Sequence, residues 1–267
     1  MTDPAASHPG QPEVERLRAR IQGLLPQLRA DLERLVRIPS VSAQAFDQAQ
    51  VQASADLVEE LLRGAGLPEV EQLRVMVDGR EGAPAVVGRR PAPIGAPTVM
   101  LYAHHDVQPP GADADWNTQP FEPTERDGRL YGRGVADDKA GVMAHVAALR
   151  ALGDDLGVGV VVFVEGEEEI GSPTFGAFLA AYRERLTADV IVVADSTNWK
   201  VGVPALTTSL RGLVDGTITV RTLDHAVHSG LYGGVLPDAM LATIRLLDSC
   251  WDVDGNLMID GLAAGEP

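Results

Sequence analysis

Apolar residues near the start of the chain recur at helical spacing. From Glu13 to Ile38, the residues Leu17, Ile21, Leu24, Leu28, Leu32 and Leu35 fall at steps of three and four, which places them on one helix face. Pro26 lies inside that stretch and predicts a kink or a split, because proline has no N–H to give to the preceding turn. Asp47 to Arg63 repeats the period with Val51, Leu57, Val58, Leu61 and Leu62, and Gly64 and Gly66 supply the stop. Short β-type runs follow at Val70 to Val77, Ala85 to Val87 and Thr98 to Tyr102, separated by Gly/Pro clusters. Lys139 to Leu152 then reads as a helix, Val158 to Val164 as a buried strand, Thr174 to Leu186 as a helix and Val190 to Val193 as a second buried strand.

Strands alternating with helices predict an α/β layered domain, a central β-sheet flanked by helices, with ligands beyond the carboxyl ends of the strands. Beyond Arg211 the character changes. Leu213 to Val220 alternates like a half-exposed strand and Pro237 to Cys250 like an amphipathic helix, so a smaller α+β module is expected to start there. The expected organisation is a disordered tail over 1–12, a first domain over 13–210 and the start of a second over 211–267.

Composition narrows the function classes. Of 267 residues, 45% are hydrophobic and 22% charged, as in a globular protein with a core rather than a disordered acidic chain. The net charge of −16 argues against a nucleic-acid partner, which needs a basic surface, and favours cations as guests. The longest apolar run, Val158 to Val164, falls far short of the roughly 20 residues that cross a bilayer, so no membrane partner is expected. Met1 to Pro12 is polar and resembles no secretory signal, and Cys250 is the only cysteine, so a cytoplasmic location is expected.

Four acidic or histidine clusters stand where the sheet rule puts a site. In His104-His105-Asp106, alternate side chains of an extended segment share a side, so Asp106 can hold the second ring nitrogen of a metal-binding His104; two surface histidines before a turn are the plain alternative. Gly132-Arg133-Gly134 leads to Asp137-Asp138-Lys139. A phosphate loop would have a third glycine where Asp137 stands, and its charge repels an anion, so this loop suits a cation or else caps the next helix. Glu165, Glu167, Glu168 and Glu169 follow the most apolar strand, where a divalent ion or water must offset their repulsion, and Asp195 ends the next strand. One imidazole with several carboxylates is the donor mix of a catalytic Zn²⁺ or Mn²⁺ site, and paired glutamates can divide metal binding from proton transfer.

These motifs, in this order, resemble the cocatalytic zinc metallopeptidase family of carnosinase-like dipeptidases, aminoacylases, glutamate carboxypeptidase and succinyl-diaminopimelate desuccinylase. The resemblance runs from Ile38-Pro39-Ser40-Val41-Ser42 through His104 to Pro109, Trp116 to Phe121, Gly132 to Lys139, Glu168-Glu169 and Asp195 to Leu210-Arg211-Gly212, His228-Ser229-Gly230 and Gly233-Gly234. It implies two divalent metal ions, Zn²⁺ with Mn²⁺ or Co²⁺ possible, with His104 and Asp195 on one, Glu169 on the other and Asp137 bridging. It further implies Asp106 as the group orienting His104, Glu168 as the general base, and a cis peptide between Asp137 and Asp138. In the second module, which resembles a lid and dimerisation domain, His228 would steady the oxyanion in a neighbouring subunit of a homodimer, or else cap a Ser-Gly turn. Arg211 would meet a substrate carboxylate, and Gly233 and Gly234 would allow close backbone approach.

Family members continue past this point to a late histidine that completes the second metal, whereas the histidines here are His8, His104, His105, His145, His225 and His228. The catalytic domain is therefore expected to be incomplete and the lid truncated. The reading is a metal-dependent hydrolase acting on dipeptides or small peptides, nearest the dipeptidase branch. N-acyl amino acid deacylase or carboxypeptidase activity is the alternative within the class, and a truncated, non-catalytic metal-binding or interaction fragment the alternative outside it.

Overall fold

The computed structural model describes residues 10–213 and 215–261. The tail expected over 1–12 lies mostly outside them; its last residues already open a helix. The chain divides into two compact units, Met1–Leu206 and Thr207–Pro267.

In the first unit, α1 (Gln11–Val36) starts with Pro12 in its first turn, where a missing N–H costs nothing, and runs unbroken through Pro26. The proline neither splits nor ends the helix, because Leu24, Leu28, Leu32 and Leu35 on either side of it hold one face against the core. Helix α2 (Gln48–Gly64) is capped by Asp47, whose carboxylate accepts the Ala49 N–H at 3.0 Å. Its buried face, Val51, Leu57, Val58, Leu61 and Leu62, is the one the periodicity marks.

The run from Val70 to Val77 is two strands rather than one. β1 (Glu69–Leu73) joins the main sheet, while β2 (Met76–Val77) pairs with β3 (Arg80–Glu81) across an Asp78-Gly79 turn, both residues at positive φ. Between them the Arg74 guanidinium is tied to the Gly82 carbonyl. β4 (Ala85–Arg90) and β5 (Thr98–His104) follow, then a second Asp-Gly hairpin of β6 (Thr124–Arg126) and β7 (Arg129–Tyr131), α3 (Lys139–Leu152), β8 (Gly159–Glu165), α4 (Phe175–Ala181) and β9 (Val190–Val193). Helix α4 ends five residues before the expected Leu186, because Tyr182 leaves helical dihedrals to pack its ring, tilted by 55°, against Phe178 and donate its hydroxyl to the Arg74 carbonyl at 2.9 Å.

The main sheet is mixed, in the order β1-β4-β8-β5-β9. β5 runs parallel to both β8 and β9, whereas β1, β4 and β8 pair antiparallel. β8 is buried on both faces. Val160, Val162 and Val164 pack with α1, α2 and α3, while Val161 and Phe163 pack on the other side with Met100, Phe178 and Leu186. Each such valine stabilises the fold by roughly 1.5–3 kcal/mol relative to an exposed one. β9 corrects the expectation of a buried strand: Val190 to Val193 are 43–61% exposed, because β9 is the edge of the sheet and pairs only with β5. Since β8, β5 and β9 are adjacent and parallel, their carboxyl ends emerge side by side.

In the second unit, Leu213 to Val220 forms no strand among its described residues, since that unit contains no other described strand to pair with it. α5 (Ser229–Tyr232) and α6 (Ala239–Asp248) are helical, and Asp238 caps α6 by accepting the Leu241 N–H at 2.8 Å. No described helix is long and apolar enough to cross a membrane.

Candidate metal centre

The carboxyl ends of β5, β8 and β9 carry the chemistry. His104 ends β5, fully buried, and its Nε2 lies 3.1 Å from Asp137 Oδ1 and 3.9 Å from both Glu168 Oε2 and Asp195 Oδ2. Three carboxylates from three segments thus converge on one ring nitrogen. Burial disfavours a charged imidazole here, but hydrogen bonding to Asp106 and the charges of Asp106, Asp138 and Asp195 outweigh it, and the His104 pKa is pushed up to about 10.

Asp106 organises the site from below. It is fully buried; the His104 Nδ1 lies 3.1 Å from its backbone oxygen and 3.4 Å from Oδ1, and its two carboxylate oxygens accept the backbone N–H groups of Glu168 and Glu169 at 3.2 and 3.0 Å. Burial alone would raise its pKa, yet its interaction with His104 holds it below the ordinary carboxylate range. His105 faces away, as alternation requires, and donates Nε2–H to the Pro84 carbonyl at 2.9 Å.

The four glutamates at and after the end of β8 separate into two pairs. Glu165 and Glu167 are buried and structural: Glu165 accepts the Tyr102 hydroxyl at 2.8 Å, and Glu167 accepts the backbone N–H groups of Ala83 at 3.1 Å and Thr174 at 2.8 Å. Glu168 and Glu169 turn toward His104 in a short 3₁₀ turn (Glu168–Ile170). Burial raises both of their pKa values, and for both His104 lowers while a neighbouring acid raises them further, Asp195 for Glu168 and Asp137 for Glu169. Gln108 holds Glu169 by its side-chain amide.

The loop before α3 has a cis peptide between Asp137 and Asp138. Asp138 stands at the N-cap of α3 but caps no helix N–H with its side chain. Its Oδ2 instead accepts the His104 backbone N–H at 3.1 Å, and burial raises its pKa to about 7. Lys139 is fully buried and donates to the Leu35 and Ile38 carbonyls, each at 2.8 Å, anchoring this loop to the negative end of the α1 dipole. Gly141 permits the packing, since a Cβ there would stand 2.5 Å from the Ala194 carbonyl oxygen and nearer still to the Asp138 carboxylate.

Two sets of donors share His104, one with Asp137 and Glu169 and the other with Asp138 and Asp195, and within each set the ligand atoms lie within 4.8 Å of one another. Imidazole plus carboxylates whose pKa values are raised by burial and, further, by neighbouring acids fits divalent cations, which would relieve the repulsion among them. His104, Asp137, Glu168, Glu169, Asp195 and Asp106 are therefore brought together. Asp138, which joins the second set, carries no ligand signal in the sequence. His145 is a packing residue, donating Nε2–H to the Tyr102 carbonyl at 2.8 Å.

Arg211, His228, Gly233 and Gly234 belong to the second unit. All four are exposed; His228 caps α5, its Nδ1 accepting the Gly230 N–H at 3.1 Å, Gly233 closes that helix, and Gly234 has φ +81°.

Fold and site together define an α/β protein with a histidine–carboxylate cluster that could hold divalent ions at the carboxyl ends of parallel strands. The sequence profile of peptidase family M20/M25/M40 matches residues 100–250, and the chain belongs to this family. It is 45% identical over 188 residues to the cysteinylglycine-S-conjugate dipeptidase of Corynebacterium striatum, a match covering 68% of this chain and 41% of that protein. It is 32% identical over 241 residues to the Cys-Gly metallodipeptidase dug1 of Schizosaccharomyces pombe, covering 86% of this chain and 51% of the relative. The crystal structure of human carnosine dipeptidase 1 superposes with a TM-score of 0.68 at 26% identity, over 93% of this chain and 54% of that one. The chain thus spans about half the length of the relatives it matches, or less.

Proposed function

We propose that this protein is a metal-dependent hydrolase that cleaves the amide bond of dipeptides or small peptides, with Glu168 as general base. The observation that carries the reading is the convergence of Asp137, Glu168 and Asp195 on His104 Nε2. Two divalent ions, Zn²⁺ with Mn²⁺ or Co²⁺ as substitutes, would be held by His104 and Asp195, by Glu169, and by Asp137 between them; when bound they supply a Lewis acid and a water of lowered pKa. Glu168 takes a proton from the attacking water and returns it to the leaving amine, a task suited to a carboxylate raised above its ordinary range. Asp106 keeps the His104 ring in one tautomer and one orientation.

In this reading His228 supports the oxyanion in a partner chain of a homodimer, Arg211 meets the substrate carboxylate, and Gly233 and Gly234 leave room for the substrate backbone, in a second unit that serves as lid and dimerisation domain. The names of the relatives support small dipeptides such as cysteinylglycine as substrates. The single free cysteine supports a cytoplasmic site of action. The test is hydrolysis of a dipeptide panel with added Zn²⁺ or Mn²⁺ by this chain and by Glu168→Gln. Loss of turnover with metal binding retained supports the assignment; equal rates remove Glu168 from the role. Metal binding with no turnover by either chain would favour the non-catalytic reading.

A further inference from the structure

We propose that Gln108 is a positioning residue that holds the Glu169 carboxylate at the His104–Asp137 edge of the site; the proposal rests on reading Glu169 as a metal ligand. The backbone N–H of Gln108 donates to Glu169 Oε1 at 3.2 Å, and its side-chain Nε2 donates both to Oε2 at 2.7 Å and to the Glu169 backbone carbonyl at 2.9 Å. One residue thus engages both carboxylate oxygens and the main chain of the same glutamate, and among the described residues no other hydrogen-bond donor reaches that carboxylate.

The clamp itself stands on fixed ground. The Val107 N–H donates to the Ser40 carbonyl at 3.0 Å, Val107 bridges to Val41, and Arg133 donates to the Pro109 carbonyl at 3.1 Å, so the residues on both sides of Gln108 are pinned. Glu169, by contrast, is half-buried in a 3₁₀ turn and faces the like charge of Asp137. A glutamate there has free rotors and a reason to swing away. An amide suits the task better than a cation would: it orients the carboxylate without neutralising it, so the full negative charge stays available to a divalent ion. Gln108 is exposed, so replacing it does not disturb the core.

The test is Mn²⁺ titration of the metal-stripped 267-residue chain, followed by electron paramagnetic resonance and calorimetry, for the wild type, Gln108→Ala, Glu169→Gln and the double variant. Gln108→Ala is expected to weaken one class of Mn²⁺ site by about tenfold with the melting temperature unchanged, and to add nothing in the Glu169→Gln background, because the clamp acts only through that carboxylate. If Glu169→Gln weakens binding and Gln108→Ala does not, or if the two losses add, the proposal is overturned while Glu169 remains a ligand. If Glu169→Gln leaves Mn²⁺ affinity unchanged, the ligand reading itself fails, and the proposal with it.

Discussion

The backbone N–H of Glu169 donates to Asp106 Oδ2 at 3.0 Å, so the carboxylate that faces the His104 ring from just beyond β5 also fixes the turn after β8. One buried group therefore sets the distance between the histidine and the two glutamates. Asp106→Asn keeps the size but removes the charge and one acceptor. Metal affinity is expected to fall by about 10- to 100-fold, measured by competition with a chromophoric chelator; an unchanged affinity would show that Asp106 is not the organiser.

Gly141 is where α3 presses on the site. Gly141→Ala places a methyl 2.5 Å from the Ala194 carbonyl oxygen and nearer to Asp138, so backbone must move. A loss of about 1–3 kcal/mol is expected in urea unfolding. Gly176→Ala in α4 meets nothing within 4 Å and is expected to be neutral or stabilising by up to about 1 kcal/mol.

Two buried histidines make the fold acid-sensitive. Burial pushes the pKa of His105 down to about 4 and also lowers that of His145, outweighing in each case the carbonyl acceptor that favours the charged ring. The unfolded chain binds these protons near pH 6.5 while the folded chain resists them, so their contribution is complete above that pH and is lost as pH falls below it, for His105 down to about 4. Each contributes a slope of at most about 1.4 kcal/mol per pH unit. Urea midpoints between pH 7.5 and 4.5 should fall, and His145→Gln should flatten part of that fall.

Much of the architecture was legible because its signals are local. The faces of α1 and α2, the bounds of α3 and the β8 run follow from apolar spacing alone, and His104, Asp137, Glu168, Glu169 and Asp195 stand directly after apolar strands or before a helix. What stayed hidden depends on tertiary neighbours. Val190 to Val193 reads as a buried strand because periodicity cannot tell an edge from a centre, and Pro26 was overridden by leucine packing on both sides. The Asp78-Gly79 and Asp127-Gly128 hairpins had a sequence signal in their Asp-Gly turns. Asp138 had none, since its bond to the His104 N–H exists only once β5 and α3 meet.

Under the proposed function, His104, Asp137, Glu169 and Asp195 hold divalent ions together. The most direct measurement of this is anomalous scattering at the zinc edge from crystals of this chain grown with Zn²⁺. The account predicts density within about 2.0–2.2 Å of a His104 ring nitrogen and of oxygens of these three carboxylates. Zinc bound only elsewhere on the molecule, with these four side chains free of it, would contradict the account.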